Sequence, residues 1–202
     1  METKDNLEFE TKYYNLGCNY VAGVDEVGRG PLAGPVVCAA VIMPKDDIIE
    51  GVTDSKKLSE KKREQLAEII KNKAVSYSIK EIWQDEIDKL NILNAVKKCM
   101  TEAVLSLKTK PDITLVDGVD TGLDIKAEYI VKGDMKSYTI GCASIIAKVY
   151  RDNLMCEFAK EFPEYGFEKH KGYPTKEHYE AIKEYGVTPY HRISFLKTLE
   201  KH

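Results

Sequence analysis

The chain has 202 residues, a formal charge of −3, 43% apolar residues and 31% charged residues. That composition suits a soluble globular protein of one large domain, or one domain with a small appendage, long enough to fold without disulfides. No unbroken apolar run of about 18 residues offers a membrane span, and the polar, acidic start lacks the apolar core of a leader. Five widely spaced cysteines with no Cys-x-x-Cys pair argue against zinc or redox chemistry and for a reducing cytoplasm.

In chain order, residues 1–19 read as a short lead-in. Tyr20 to Asp25 reads as a strand entering a site. Gly28 to Pro35 is a break rich in Gly and Pro. Val36 to Met43 is an apolar run of strand length that suits a central strand covered on both faces. Ser59 can cap a helix running to about Lys73, with Leu66, Ile69 and Ile70 inward. Residues 75–79 alternate as a strand does. From Asn91 to Leu107, apolar residues recur at helical spacing. Ile113 to Asp117 and Ala127 to Val131 read as short strands. A long helix follows over roughly Ile140 to Lys160, then a capped helix from Thr175 to Tyr185 stopped by Gly186, then a last helical segment near His191 to Leu199. Two opening strands, then strands alternating with helices, predict a mixed α/β domain with a sheet core. The expected boundary separates a sheet-based unit over 1–165 from a helical C-terminal extension over 166–202.

Four acidic residues stand at predicted element ends: Asp25 and Glu26 after the first strand, Asp117 after a later apolar strand, and Asp134 before the long helix. In α/β sheets, ligand sites gather beyond strand ends. Carboxylates brought together there repel one another, and a divalent cation removes that cost. Oxygen ligands of this kind suit Mg²⁺ or Mn²⁺. Two such ions roughly 3.5–4 Å apart can serve phosphodiester hydrolysis. Spacing alone leaves a second reading open, since Asp and Glu also end strands as solvated turn residues. The vicinal Asp25-Glu26 pair between Val24 and Val27 favours the metal reading, because burying unpartnered charge is expensive.

Gly28-Arg29-Gly30 either simply turns the chain or lets backbone approach a sugar-phosphate, with Arg29 able to grip phosphate. Backbone groups reaching a ribose could read its 2′-hydroxyl. Basic residues cluster at Lys56-Lys57, at Lys61 to Arg63, and from Lys169 onward. Such clusters read as solvated surface or as a nucleic-acid face.

Val24-Asp-Glu-Val-Gly-Arg-Gly-Pro-Leu-Ala-Gly-Pro-Val-Val resembles the opening signature of the bacterial ribonuclease HII family. Asp54-Ser-Lys-Lys-Leu-Ser, Leu90-Asn-Ile-Leu, Val116-Asp-Gly, Lys132-Gly-Asp, Ala143-Ser-Ile-Ile-Ala-Lys-Val-Tyr-Arg-Asp and His170-Lys-Gly-Tyr follow in family order. The resemblance runs from about residue 20 to 196. It implies an RNase H-like α/β fold, a mixed sheet flanked by helices, with a helical C-terminal extension that helps bind substrate. It implies a monomeric, cytoplasmic endonuclease acting on RNA/DNA hybrid duplexes and on single ribonucleotides in duplex DNA. Cleavage on the 5′ side of the ribonucleotide would leave 3′-hydroxyl and 5′-phosphate ends, in ribonucleotide removal and primer processing.

By the same resemblance Asp25, Glu26, Asp117 and Asp134 match the catalytic carboxylates. Asp25, Glu26 and Asp117 match the ligands of Mg²⁺ or Mn²⁺, with two ions present once substrate is bound. Gly28, Arg29 and Gly30 match the loop that contacts the ribonucleotide. Tyr173 matches the tyrosine that packs on the sugar at the RNA–DNA junction; without the resemblance it reads as an ordinary aromatic. Lys56, Lys57, Lys148, Arg151 and Arg192 are candidates for phosphate contacts, with Lys57 and Arg192 foremost. Gly141-Cys142 stands where the family often has alanines, a packing change within a helix. The Gly-Arg-Gly loop separates the chain from the sister type HIII and from other RNase H-like nucleases such as integrases. Acids at all four matched positions argue against a decayed, non-catalytic binding protein.

Overall fold

The computed structural model describes residues 6–53 and 55–196. Helix α1 (Glu8–Asn15) precedes strand β1 (Val21–Val27), which turns through 28–35 into β2 (Val36–Ile42). Helix α2 (Glu60–Lys73) leads to β3 (Ser76–Ile82), then to α3 (Gln84–Leu90) and α4 (Ile92–Leu105). Strands β4 (Ile113–Asp117) and β5 (Ala127–Ile130) follow. The short α5 (Gly133–Lys136) precedes α6 (Tyr138–Glu161), and α7 (Phe167–His170) and α8 (Lys176–Tyr185) end the helical series. No helix among the described residues is long and apolar enough to cross a membrane.

The five strands form one sheet in the order β3-β2-β1-β4-β5. β1 pairs antiparallel with β2 and parallel with β4, so their chain directions place Asp25, Glu26 and Asp117 at one end of the sheet. β2 is buried along its whole length, as its unbroken apolar run requires. One face packs Ala22, Val24, Cys38 and Ala40 against Val96, Cys99, Met100 and Ala103 of α4. The other packs Val37, Ala39 and Val41 against Leu66 and Ile70 of α2 and Ile145 and Ile146 of α6.

Local signals held where side chains cap backbone. Ser59 accepts a hydrogen bond from the amide of Lys62 at the start of α2, and Thr175 accepts one from His178 at the start of α8. Elsewhere the structure departs from expectation. The lead-in contains α1, whose Phe9 and Tyr13, four residues apart, pack beside Val21 and Leu115. Of the helical segment expected near His191 to Leu199, the described residues show a 3-10 turn at 193–196 and no α-helix, and His191 bridges Ala33. The turn's opening amides, Ile193 N and Ser194 N, donate to the Asp88 carboxylate. Residues 197–199 of the expected helix lie outside the described residues.

Residues 166–196 rest on α6 through a third apolar cluster, in which Leu32 and Ala33 meet Met155, Phe158, Phe167 and Ile182. The Phe158 and Tyr190 rings stack with centroids 3.7 Å apart.

β1 approaches the start of α6 so closely that Gly23 leaves no room for a side chain. A Cβ there would lie 2.2 Å from the Thr139 carbonyl carbon and 2.3 Å from the Ile140 nitrogen. Gly23→Ala should therefore destabilise the fold by about 2 kcal/mol or more. Urea denaturation measures this, and an unchanged midpoint would contradict the backbone contact.

Candidate active site

Asp25 and Glu26 lie near the end of β1, and Asp117 closes β4. Oxygen atoms of the three carboxylates all lie within 4.8 Å of one another. Adjacent strand residues face opposite sides of a sheet, so Glu26 reaches the group through its longer side chain at the strand's end. The three line a cleft of about 340 Å³ together with Ser55, Lys56, Asp134, Ser144, Lys148 and Tyr173. A larger groove of about 860 Å³ lies at the opposite end of β4 and β5, beside Leu105, Lys110 and Lys126, and gathers no comparable group.

The electrostatics are those of charge held against its own repulsion. Burial first, then Glu26 and Asp117, push Asp25 well above the usual carboxylate range. The Glu26 amide, which donates to Asp25 at 2.7 Å, and the nearby Ser144 oppose this. Glu26 is also raised by burial and by Asp117, with Arg29 working the other way from 3.4 Å. Asp117 accepts a hydrogen bond of 2.6 Å from the Gly133 amide, which ties β4 to α5. Asp134, in the next residue of α5, lines the cleft but stands outside the 4.8 Å group. An all-oxygen set of three converging carboxylates fits a hard divalent cation, whose charge would relieve the repulsion.

Around the acids, Gly28 adopts φ +91°, open to glycine, and its absent side chain leaves space for Arg151, whose Nε would lie 2.3 Å from a Cβ. Arg29 and Gly30 are exposed, and a Cβ on Gly30 would sit 3.7 Å from the Tyr173 ring. Tyr173 is 37% exposed.

Two expectations for phosphate contact are corrected. Arg192 is fully buried and faces no solvent. Its guanidinium donates to the carbonyls of Gly28, Arg29 and Gly34 at 2.7–3.0 Å. Arg151 is likewise fully buried and donates to the carbonyls of Ala33, Pro35 and Lys171 at 2.9–3.1 Å. A rigid, planar fork of donors suits both to this task, which holds the 28–35 loop in shape. Burial lowers Arg151 to about 10 and Arg192 to about 9, the latter also through its neighbour Arg151, so both remain charged at neutral pH. Lys57 is exposed on the turn Ser55–Lys57 but does not line the cleft; its neighbour Lys56 does. Lys148 also lines it and donates to Asp152 at 2.6 Å.

Sequence reasoning missed Ser144 and Ser55, whose hydroxyls lie 3.1 Å apart and which both line the cleft. A signal existed: Ser144 and Lys148 are four residues apart on one helix and share a face.

A family model described as Ribonuclease HII matches residues 22–198. The chain belongs to the ribonuclease HII family. A ribonuclease HII from Clostridioides difficile is 55% identical over 192 residues, 95% of this chain and 75% of that protein. One from Endomicrobium trichonymphae is 54% identical over 94% of this chain and 91% of its own. The crystal structure of ribonuclease H2 from Pyrococcus horikoshii superimposes with a TM-score of 0.76 at 32% identity, covering 90% of this chain and 96% of the other. Membership of the ribonuclease HII family makes the chain a metal-dependent enzyme of the ribonuclease H type, and the mixed five-stranded sheet with its flanking helices is the RNase H-like fold.

Replacing Arg192 with Leu would take the donor from three carbonyl groups, of which those of Gly28 and Gly34 are buried and cost roughly 1–3 kcal/mol each. The variant should lose about 3 kcal/mol or more of stability, and Arg192→Lys should recover only part of it. Equal stability of Arg192→Leu and the parent in urea would show that the arginine does not brace the loop.

Proposed function

We propose that this ribonuclease HII cuts the RNA strand of RNA/DNA hybrids and single ribonucleotides embedded in duplex DNA. Cleavage falls on the 5′ side of the ribonucleotide and leaves 3′-hydroxyl and 5′-phosphate ends. The observation that carries the reading is the convergence of Asp25, Glu26 and Asp117 within 4.8 Å on the floor of an open cleft.

In this proposal Asp25, Glu26 and Asp117 hold Mg²⁺ or Mn²⁺, and Asp134 is the fourth acid of the site. A pair of such ions supplies Lewis acidity for an attacking water and for the departing 3′ oxygen. The chain's own residues do the rest. Ser144 lines the cleft beside the acids and pairs with the Ser55 hydroxyl at 3.1 Å. Lys56 and Lys148, from distant parts of the chain and both lining the cleft, attract the phosphate backbone. The exposed Arg29 and Gly30 bring backbone and one charge to the ribonucleotide, where contact with the 2′-hydroxyl selects ribose. Tyr173 offers a flat ring to a deoxyribose, where a ribose would be crowded, and so marks the RNA-to-DNA step. The extension from residue 166 contributes to binding by presenting that ring. Five unpaired cysteines suit a reducing cytoplasm.

Asp25→Asn should reduce cleavage of a duplex bearing one ribonucleotide to background while leaving duplex affinity, read by fluorescence anisotropy, unchanged. Cleavage near the parent rate would remove Asp25 from the chemistry. Tyr173→Ala should slow cleavage at a single ribonucleotide by about tenfold, the scale of one lost stacking contact. No loss at all would remove the ring from junction reading.

A further inference from the structure

Three histidines lie under the turn that carries Tyr173, and none of them reaches the acids. His178 is fully buried, His191 nearly so, and His170 stacks on His178 with centroids 4.4 Å apart. Their hydrogen bonds fix where each proton sits. The Thr188 amide, which can only donate, lies 2.8 Å from His191 Nδ1. In the neutral ring the proton is therefore on His191 Nε2. That atom lies 3.1 Å from His178 Nε2, which must accept. The remaining proton is then on His178 Nδ1, 3.0 Å from the carbonyl oxygen of Tyr173, which can only accept. A backbone donor at one end and a backbone acceptor at the other demand the same proton order.

His170 is fixed by the same logic. The Gly172 amide donates to its Nδ1 at 3.2 Å, so its Nε2–H donates to the Tyr165 carbonyl at 2.7 Å. Burial lowers His178 and His191 to about 4, consistent with neutral rings.

The turn needs such ties. Lys171 is held at φ +52°, a left-handed conformation that costs a residue with a side chain roughly 1 kcal/mol. Leu32 N donates to the Gly172 carbonyl at 2.8 Å and Arg151 to the Lys171 carbonyl at 2.9 Å. The Tyr173 carbonyl accepts from Thr175 N, which follows it in the chain, and from His178 on α8. His178 is thus the side chain that sets the height of this peptide over the cleft.

We infer that His178, oriented by His191, is a positioning residue: its hydrogen bond to the Tyr173 carbonyl holds the tyrosine ring at the substrate junction. The inference rests on the reading of Tyr173 as a substrate contact. It assigns the buried histidines to selectivity rather than to chemistry. A displacement of the ring by about an ångström is enough to matter, since misplacement on that scale costs up to about a hundredfold in rate.

The test exploits two amides that mimic different halves of the imidazole. In His178→Asn the side-chain NH₂ replaces Nδ1–H and keeps the bond to Tyr173. In His178→Gln the amide reaches the Nε2 position and keeps the contact with His191 but not the one with Tyr173. Both are measured for kcat and KM on a duplex with a single ribonucleotide, for thermal stability, and again in the Tyr173→Ala background. Expected are kcat/KM within about threefold of the parent for Asn and at least about tenfold lower for Gln, at similar stability, the difference vanishing when residue 173 is Ala. Equal kcat/KM for Asn and Gln, or a difference that persists without the tyrosine ring, overturns the inference. If Tyr173→Ala alone leaves kcat/KM unchanged, the reading of the tyrosine fails first and takes the inference with it.

Discussion

Three carboxylates sharing a space under 5 Å across repel one another, and everything near the cleft is arranged around that fact. The parallel pairing of β1 with β4 sets the distance, because register places Val24 beside Val116 and so leaves Asp25 and Asp117 at the same level. Burial makes the repulsion stronger, raising Asp25 and Glu26 together. A site with this character favours whatever positive charge can enter it. That is why a divalent cation fits here, and why the same residues would make a poor structural core without one.

Arg29 reaches Glu26 at 3.4 Å, but the two buried arginines are held away from the acids. Arg151 and Arg192 are buried, charged and bonded to carbonyl oxygens rather than poised to neutralise the carboxylates. Each guanidinium uses its planar donors to fix the loop that carries Gly28, Arg29 and Gly30. The loop can then be exposed and still have one shape. Exposed groups lose entropy on binding, and a prefixed loop has less to lose.

A third layer of control lies under Tyr173. The turn at 170–173 is tied to the 28–35 loop by Leu32 N and by Arg151, and to α8 by His178. The 28–35 loop and the Tyr173 ring are thereby parts of one bonded unit, with Gly30 against the tyrosine ring. The apolar cluster between α6 and the extension supplies the rigid base for it. Specificity in such a site comes from a few groups held still.

Much of this was readable in the residues. β2 announced its burial by an unbroken apolar run, α2 and α8 announced their starts by Ser59 and Thr175, and the order of acidic motifs pointed to Asp25, Glu26, Asp117 and Asp134. These signals are local, since capping and periodicity involve residues within a turn or two of each other. What local pattern could not decide was which basic side chains face substrate. Lys57 and Arg192 look alike in sequence to Lys56 and Lys148, yet Arg192 is buried on backbone carbonyls and Lys57 stands off the cleft that Lys56 and Lys148 line. The segment after His191 turns helically over 193–196, its opening amides capped by the Asp88 carboxylate, while His191 itself bridges Ala33, a partner far off in the chain. Local pattern in the residues set most of the elements, though not α1, and the chemistry of the acids. Only the tertiary structure decided which charges meet and which histidine holds which carbonyl, because those depend on contacts between residues more than a hundred positions apart in one case and on proton placement in the other.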